Sequence, residues 1–301
     1  MSADEQLVPV GGMGSRKLSR GSSHGSAQHL ESFHEGEGLE YRLQTVEKDG
    51  VKKPISLWHD VTLVHVDPTT DRPTPYLNFV NEIPKFSRKK YEIATDEVGN
   101  PIKQDEKKGQ LREFKKGDIF FNYGCLPRTW EDPTFIHPDA EGCRGDNDPL
   151  DVCEIGARII KPGEIRPVKI LGILCMIDEG EADWKLVTID AEDKWAPYLN
   201  NIEDVKIQMP GMLGAIREWF RTYKIPDGKP PNVFGLQEKF MDKSYAFEII
   251  KECNHSWKEL ITGEKERQLL HVEEGISKLV RKLSKSNLLD LGNDDDEAPT
   301  F

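Results

Sequence analysis

Short apolar runs separated by turn residues dominate the middle of the chain. Leu63-Val64-His65-Val66, Leu77-Asn78-Phe79-Val80, Lys90 to Ile93, Ile119-Phe120-Phe121, Val152 to Ile155 and Ile170 to Ile177 each predict a strand. Helical spacing appears late. Leu213, Ile216, Phe220 and Tyr223 follow Pro210-Gly211 at near-helical intervals, and that helix is expected to end before Pro226. A second helix is expected from about Leu236, burying Phe240, Phe247, Ile250, Cys253, Trp257 and Leu260. Strands first and helices after predict a mainly β, α+β fold: a β-barrel-like core with helices packed outside.

Both ends depart from this pattern. Residues 1–35 are rich in Gly and Ser with little to bury, and are expected to be disordered. The end from about Asn287 carries Asp290, Asp294, Asp295, Asp296 and Glu297 and reads as a solvated acidic tail. A folded domain over 36–286 is the expectation. The Ser/Gly/Arg stretch 14–26 leaves organelle import as an alternative, which Asp4 and Glu5 oppose.

Charge then narrows the function. Forty-one Lys and Arg against 53 Asp and Glu give a net charge of −12 over 301 residues. General nucleic-acid binding is disfavoured, since neutralising phosphates needs clustered cations. The longest apolar run, Ile170 to Ile177, is far short of the roughly 20 residues that cross a bilayer, so no membrane association is expected. Cys125, Cys143, Cys153, Cys175 and Cys253 contain no CxxC and read as free thiols in a reducing compartment, the cytoplasm.

The stretch GDNDPLD, Gly145 to Asp151, places Asp146, Asp148 and Asp151 at spacing i, i+2, i+5. Two carboxylates roughly 4 Å apart repel by about 4 kcal/mol at an effective dielectric of 20. Either the segment is a solvated loop or it expects a cation. Gly145 suits a tight turn, Pro149 stiffens it, and the apolar run from Val152 follows. A stiff acidic turn entering a strand favours a metal site. It is not an EF-hand loop, whose sixth position is glycine where this chain has Asp151.

A second acidic stretch, DEGEADWK, Asp178 to Lys185, follows the run Ile170 to Ile177. Neither cluster contains histidine, so all-oxygen ligation by Mg²⁺, Mn²⁺ or Ca²⁺ is expected rather than Zn²⁺. Two unrelated hairpin turns remain the alternative. The cations bear on the substrate. Strand periodicity puts Lys90 and Glu92 on one face. Lys107, Lys108 and Arg112 form a basic knot, and Tyr223-Lys224 ends a helix, where the dipole already favours a cation. Acids to hold metals and bases to hold phosphoryl oxygens are what a metal–phosphate site needs. No P-loop or kinase signature is present.

GDNDPLDV, Asn122-Tyr123-Gly124, Thr129-Trp130-Glu131-Asp132-Pro133, DEGEADWK and Asn100 to Asp105 together resemble the soluble family I inorganic pyrophosphatases, in the larger eukaryotic form. The resemblance runs from about Leu39 to about Ile261. It departs at Arg128, where glutamine is common in the family. It implies a distorted five-stranded OB-like barrel and hydrolysis of pyrophosphate to two orthophosphates by a metal-activated water. Mg²⁺ would be the cofactor, several ions per site, with Mn²⁺ as a substitute. Asp146, Asp151 and Asp183 would ligate metal, joined by Asp178 and by Glu92. Asp148 would orient and deprotonate the water; Lys90, Arg112, Tyr223 and Lys224 would bind pyrophosphate oxygens. Tyr123 and Lys185 would line the same pocket with catalytic roles, and Glu82 would support it. A homodimer is implied by resemblance alone. A Ca²⁺-binding acidic scaffold is opposed by the cationic set, and an inactive relative by retention of every expected residue.

Overall fold

The computed structural model describes residues 40–41, 43–46 and 52–263. The expected disordered start, 1–35, and acidic tail, 287–301, lie outside the described residues.

Six strands carry the core: β1 Val64–Asp67, β2 Arg72–Ile83, β3 Asn122–Cys125, β4 Asp151–Glu154, β5 Ile165–Asp178 and β6 Glu181–Asp190. Their pairing closes a ring. β2 pairs antiparallel with β5, β5 with β6, β4 with β3, and β3 with β2, while β6 and β4 run parallel. Five strands, β2 to β6, thus form the expected barrel, and β1 adds to β2 outside the ring. Closure removes the exposed edges that an open sheet would leave. It also demands close backbone approach where β3 crosses β2. A Cβ on Gly124 would lie 2.1 Å from the Val80 carbonyl oxygen, so only glycine fits.

Alternation along the long strands feeds two cores. Leu174, Met176 and Val187 face the interior shared with helices α1 Ile202–Gln208 and α2 Met212–Thr222. Ile173, Cys175 and Leu186 face the other way, under helix α3 Lys243–Ile261, which buries Ala246, Ile249, Ile250 and Cys253. α2 buries Leu213, Ile216, Trp219 and Phe220 and is capped at Tyr223, before Pro226 as expected.

Two expectations are corrected. Ile119 to Phe121 is not a strand. The segment is buried as a loop, Ile119 N donating to the Ser87 carbonyl, and the ladder begins only at Asn122. The last helix does not start near Leu236. Leu236, Gln237 and Glu238 all have positive φ, and Phe240–Asp242 is a strand on β5. Gly172 makes that pairing feasible, since a Cβ there would sit 2.4 Å from the Met241 carbonyl oxygen. The helix starts after Asp242, whose side chain caps it by accepting from Tyr245 N at 3.0 Å. Phe240 is therefore in the strand, and Phe247 and Leu260 are only half-buried.

Candidate active site

The functional candidates converge at one end of the barrel. Glu82 closes β2, Tyr123 lies on β3 and Asp151 opens β4. β5 and β6 meet in a two-residue hairpin, Glu179-Gly180, with φ of 52° and 93°. That turn fixes the register Met176 to Asp183 and Leu174 to Lys185, so Asp178, Asp183 and Lys185 share one face. The parallel pairing of Asp151 with Lys185 brings the two acidic stretches side by side.

The Gly145–Asp151 turn is held against Glu131. Glu131 N donates to the Asp148 carbonyl at 2.9 Å, and Asn147 N donates to the Glu131 carbonyl at 2.9 Å. A Cβ on Gly145 would fall 2.3 Å from the Glu131 carbonyl, so the glycine lets the turn close. Asp146 Oδ1 accepts from Asp148 N at 3.0 Å, and Asn147 takes a φ of 75°. The result is alternate projection: Asp146 and Asp148 line the cleft, while Asn147 faces away to a different one.

The opposite wall is cationic. Lys90 reaches Glu92 and, at 2.7 Å, Asp105, which also accepts from Arg112. Lys224 pairs with Asp178 at 2.5 Å, and the Tyr223 hydroxyl donates to Asp178 at 2.8 Å. Stacking on Trp219, centroids 5.2 Å apart, fixes the Tyr223 ring. Glu82, Lys90, Glu92, Arg112, Tyr123, Asp146, Asp148, Asp151, Asp178, Asp183, Tyr223 and Lys224 all line this one cleft, with about 150 Å³ of room. Lys185 does not line it. At 1% exposure it lies beneath, pairing with Asp151 and Asp183 and donating to the Tyr123 hydroxyl at 3.0 Å.

Negative charge exceeds what these cations balance. Neither Asp146 nor Asp148 has an ion-pair partner among the described residues. Burial, then the neighbouring Asp151 and Glu92, push Asp148 up to about 7. Burial, against the pull of Lys185, pushes Asp183 up to about 8. Asp146 and Glu82 are raised well above the carboxylate range, mainly by burial. Asp105 is the contrast. Burial would raise it, but Lys90 and Arg112 outweigh that and hold it low.

Glu131 and Asp105 received no role from sequence reasoning. Both lie inside motifs already singled out, yet a motif does not say which of its acids points inward. One oxygen each from Glu131, Asp146 and Asp183 lie within 4.8 Å of one another, and Glu131 Oε2 is buried without a hydrogen-bond partner. An oxygen-only donor set with an orphaned carboxylate oxygen fits a hard divalent cation.

An OB-like barrel bearing a carboxylate wall opposite a Lys/Arg wall defines the class: divalent-cation-dependent enzymes acting on phosphoryl anions. Residues 79–258 match the family model described as "Inorganic pyrophosphatase". A Neurospora crassa inorganic pyrophosphatase is 47% identical over 229 residues, covering 75% of this chain and 76% of that protein. The Arabidopsis thaliana "Soluble inorganic pyrophosphatase 6, chloroplastic" is 51% identical over 225 residues, 75% of this chain and 72% of its own. An N-terminally truncated Trypanosoma cruzi vacuolar soluble pyrophosphatase, solved in complex with PPi, superposes with a TM-score of 0.74 at 39% identity, covering 83% of this chain and 98% of that one. The chain belongs to the inorganic pyrophosphatase family, in its soluble family I.

Proposed function

We propose that the chain hydrolyses inorganic pyrophosphate to two orthophosphates in this cleft, with Mg²⁺ as the cofactor and Mn²⁺ as a substitute. The observation that carries it is the pairing of uncompensated acids, Asp146 and Asp148, with Lys90, Arg112 and Lys224 across one small cleft. Asp146, Asp151 and Asp183 would hold metal, with Asp178 and Glu92 contributing to further ions. Divalent ions bound there neutralise the anion and make a nearby water more acidic.

The remaining work falls to the protein. Lys90, Arg112, Lys224 and the Tyr223 hydroxyl take phosphoryl oxygens, Lys90 as Glu92 releases it and Lys224 and Tyr223 as Asp178 does. Asp105 keeps Lys90 and Arg112 together while they do so. Asp148 lines the cleft without an ion-pair partner among the described residues and accepts a proton from the attacking water. One P–O–P bond breaks, one water is consumed, and the proton passes from Asp148 to a product phosphate. Lys185 and Tyr123 hold Asp151 in position from beneath.

Phosphorus NMR of pyrophosphate incubated with the full chain and Mg²⁺ tests this. Two orthophosphates should appear per pyrophosphate lost, and none with chelator. Persistence of the pyrophosphate signal would reject the reading.

The catalytic unit is taken as 36–286, with a homodimer as its assembly. All five cysteines are free, which supports a reducing compartment, the cytoplasm. The chloroplastic relative keeps organelle import as the alternative. No helix among the described residues is long and apolar enough to cross a membrane.

A further inference from the structure

Glu131 is 3% exposed and sits between the two segments that carry the acidic candidates. Its Oε1 accepts from Trp184 N at 2.9 Å, beside Asp183. Its backbone pairs with Asn147 and Asp148, beside Asp146. Three of its polar groups are thus fixed by hydrogen bonds, and its Oε2 has none. A buried carboxylate oxygen without a partner is costly, and native structures rarely keep one without a reason. Here the carboxylate approaches Asp146 and Asp183, each bringing one oxygen within 4.8 Å of the others. Like charges held so close in a dry site call for a cation rather than for one another.

We infer that Glu131 is a direct ligand of the divalent ion held by Asp146 and Asp183. This rests on the cation-dependent reading above. Three carboxylates around one ion raise its affinity through charge count.

The test is Mn²⁺ binding to the metal-stripped full chain without pyrophosphate, with free Mn²⁺ counted by electron paramagnetic resonance and Mg²⁺ as competitor. Glu131→Gln keeps the length and an acceptor for Trp184 N but loses the charge. One Mn²⁺ should bind about tenfold or more weakly, with an unchanged circular dichroism spectrum. Glu131→Asp keeps the charge but shortens the reach, and should bind Mn²⁺ more tightly than Glu131→Gln. A mere brace for Trp184 predicts the reverse order. Asp146→Asn separates the two readings. Wild-type affinity in Glu131→Gln with weakened binding in Asp146→Asn overturns the Glu131 role alone. Wild-type affinity in both overturns the cation site and this inference with it.

Discussion

Two clefts flank the Gly145–Asp151 turn, and they differ in what they leave unsatisfied. The acidic one has about 150 Å³ of room; the other, lined by Trp58, His59, Arg128, Asn147, Trp257 and Ile261 among others, has about 820 Å³. In the larger, polar groups find partners in its own walls. Trp257 Nε1 donates to His59 Nδ1 at 2.9 Å, and Trp130 Nε1 to Asn147 Oδ1 at 3.1 Å. Arg128 donates to the His59 and Asp60 carbonyls at 3.1 Å and packs on Trp257. In the smaller, Asp146 and Asp148 are left without ion-pair partners among the described residues, and a buried Glu131 oxygen behind Asp146 has no hydrogen bond. Space does not locate the chemistry; uncompensated charge does.

The sharpest way to break this contrast is at neighbouring residues of the shared turn. Asp148→Asn should lower turnover by about 10²–10⁴-fold at saturating Mg²⁺ while metal affinity changes little. Steady-state phosphate release with a parallel Mg²⁺ titration checks it. Collapsed affinity with a near-normal rate would move Asp148 from base to ligand.

Calcium should inhibit by roughly tenfold or more at comparable occupancy. Its oxygen distances of about 2.3–2.6 Å exceed the 2.0–2.1 Å of Mg²⁺, which displaces the reacting groups. Phosphate release against added Ca²⁺ at fixed Mg²⁺ measures it.

Protonation gives a smaller effect on stability. Asp148 at about 7 and Asp183 at about 8 lie above their unfolded values, so between those limits the folded chain binds more protons. In chelator, stability should therefore fall as pH rises from about 6.5 to about 8.5. His59 and His137 act oppositely, burial lowering both, but below that window. Melting curves in chelator should shift downward by several degrees, and saturating Mg²⁺ should abolish the shift.

The larger cleft should respond least. Arg128→Gln loses hydrogen bonds to backbone carbonyls, worth about 1 kcal/mol, and should change turnover less than about twofold. Truncation to 36–286 should leave both rate and melting temperature unchanged, since every proposed ligand lies between Glu82 and Lys224. A tenfold loss of rate on truncation would show that an end segment docks on the domain.

Local pattern made much of the fold legible. β5 announces itself as a long apolar run and α2 by clean spacing, β6 is hidden behind its acidic start, and the resemblance supplied barrel closure. The errors share a cause. Ile119–Phe121 is as apolar as a strand, but its hydrogen bonds go to the Ser87 loop. Phe240 looks helical until β5, far off in the chain, offers it an edge at Leu174. The cleft's residues could be named because they cluster in short motifs. Glu131 could not, because its significance is an unpartnered oxygen, which exists only once Trp184 has taken the other. Arg128, conspicuous as a departure, turns out to brace backbone away from the acidic cleft.

Anomalous diffraction from crystals of the full chain soaked with Mn²⁺ and a non-hydrolysable pyrophosphate analogue tests the central claim most directly. The account predicts manganese peaks among Asp146, Asp151 and Asp183, with the analogue's oxygens on Lys90, Arg112 and Lys224. Analogue bound instead among Trp58, Arg128 and Trp257, or manganese absent from the acidic cleft, would contradict it.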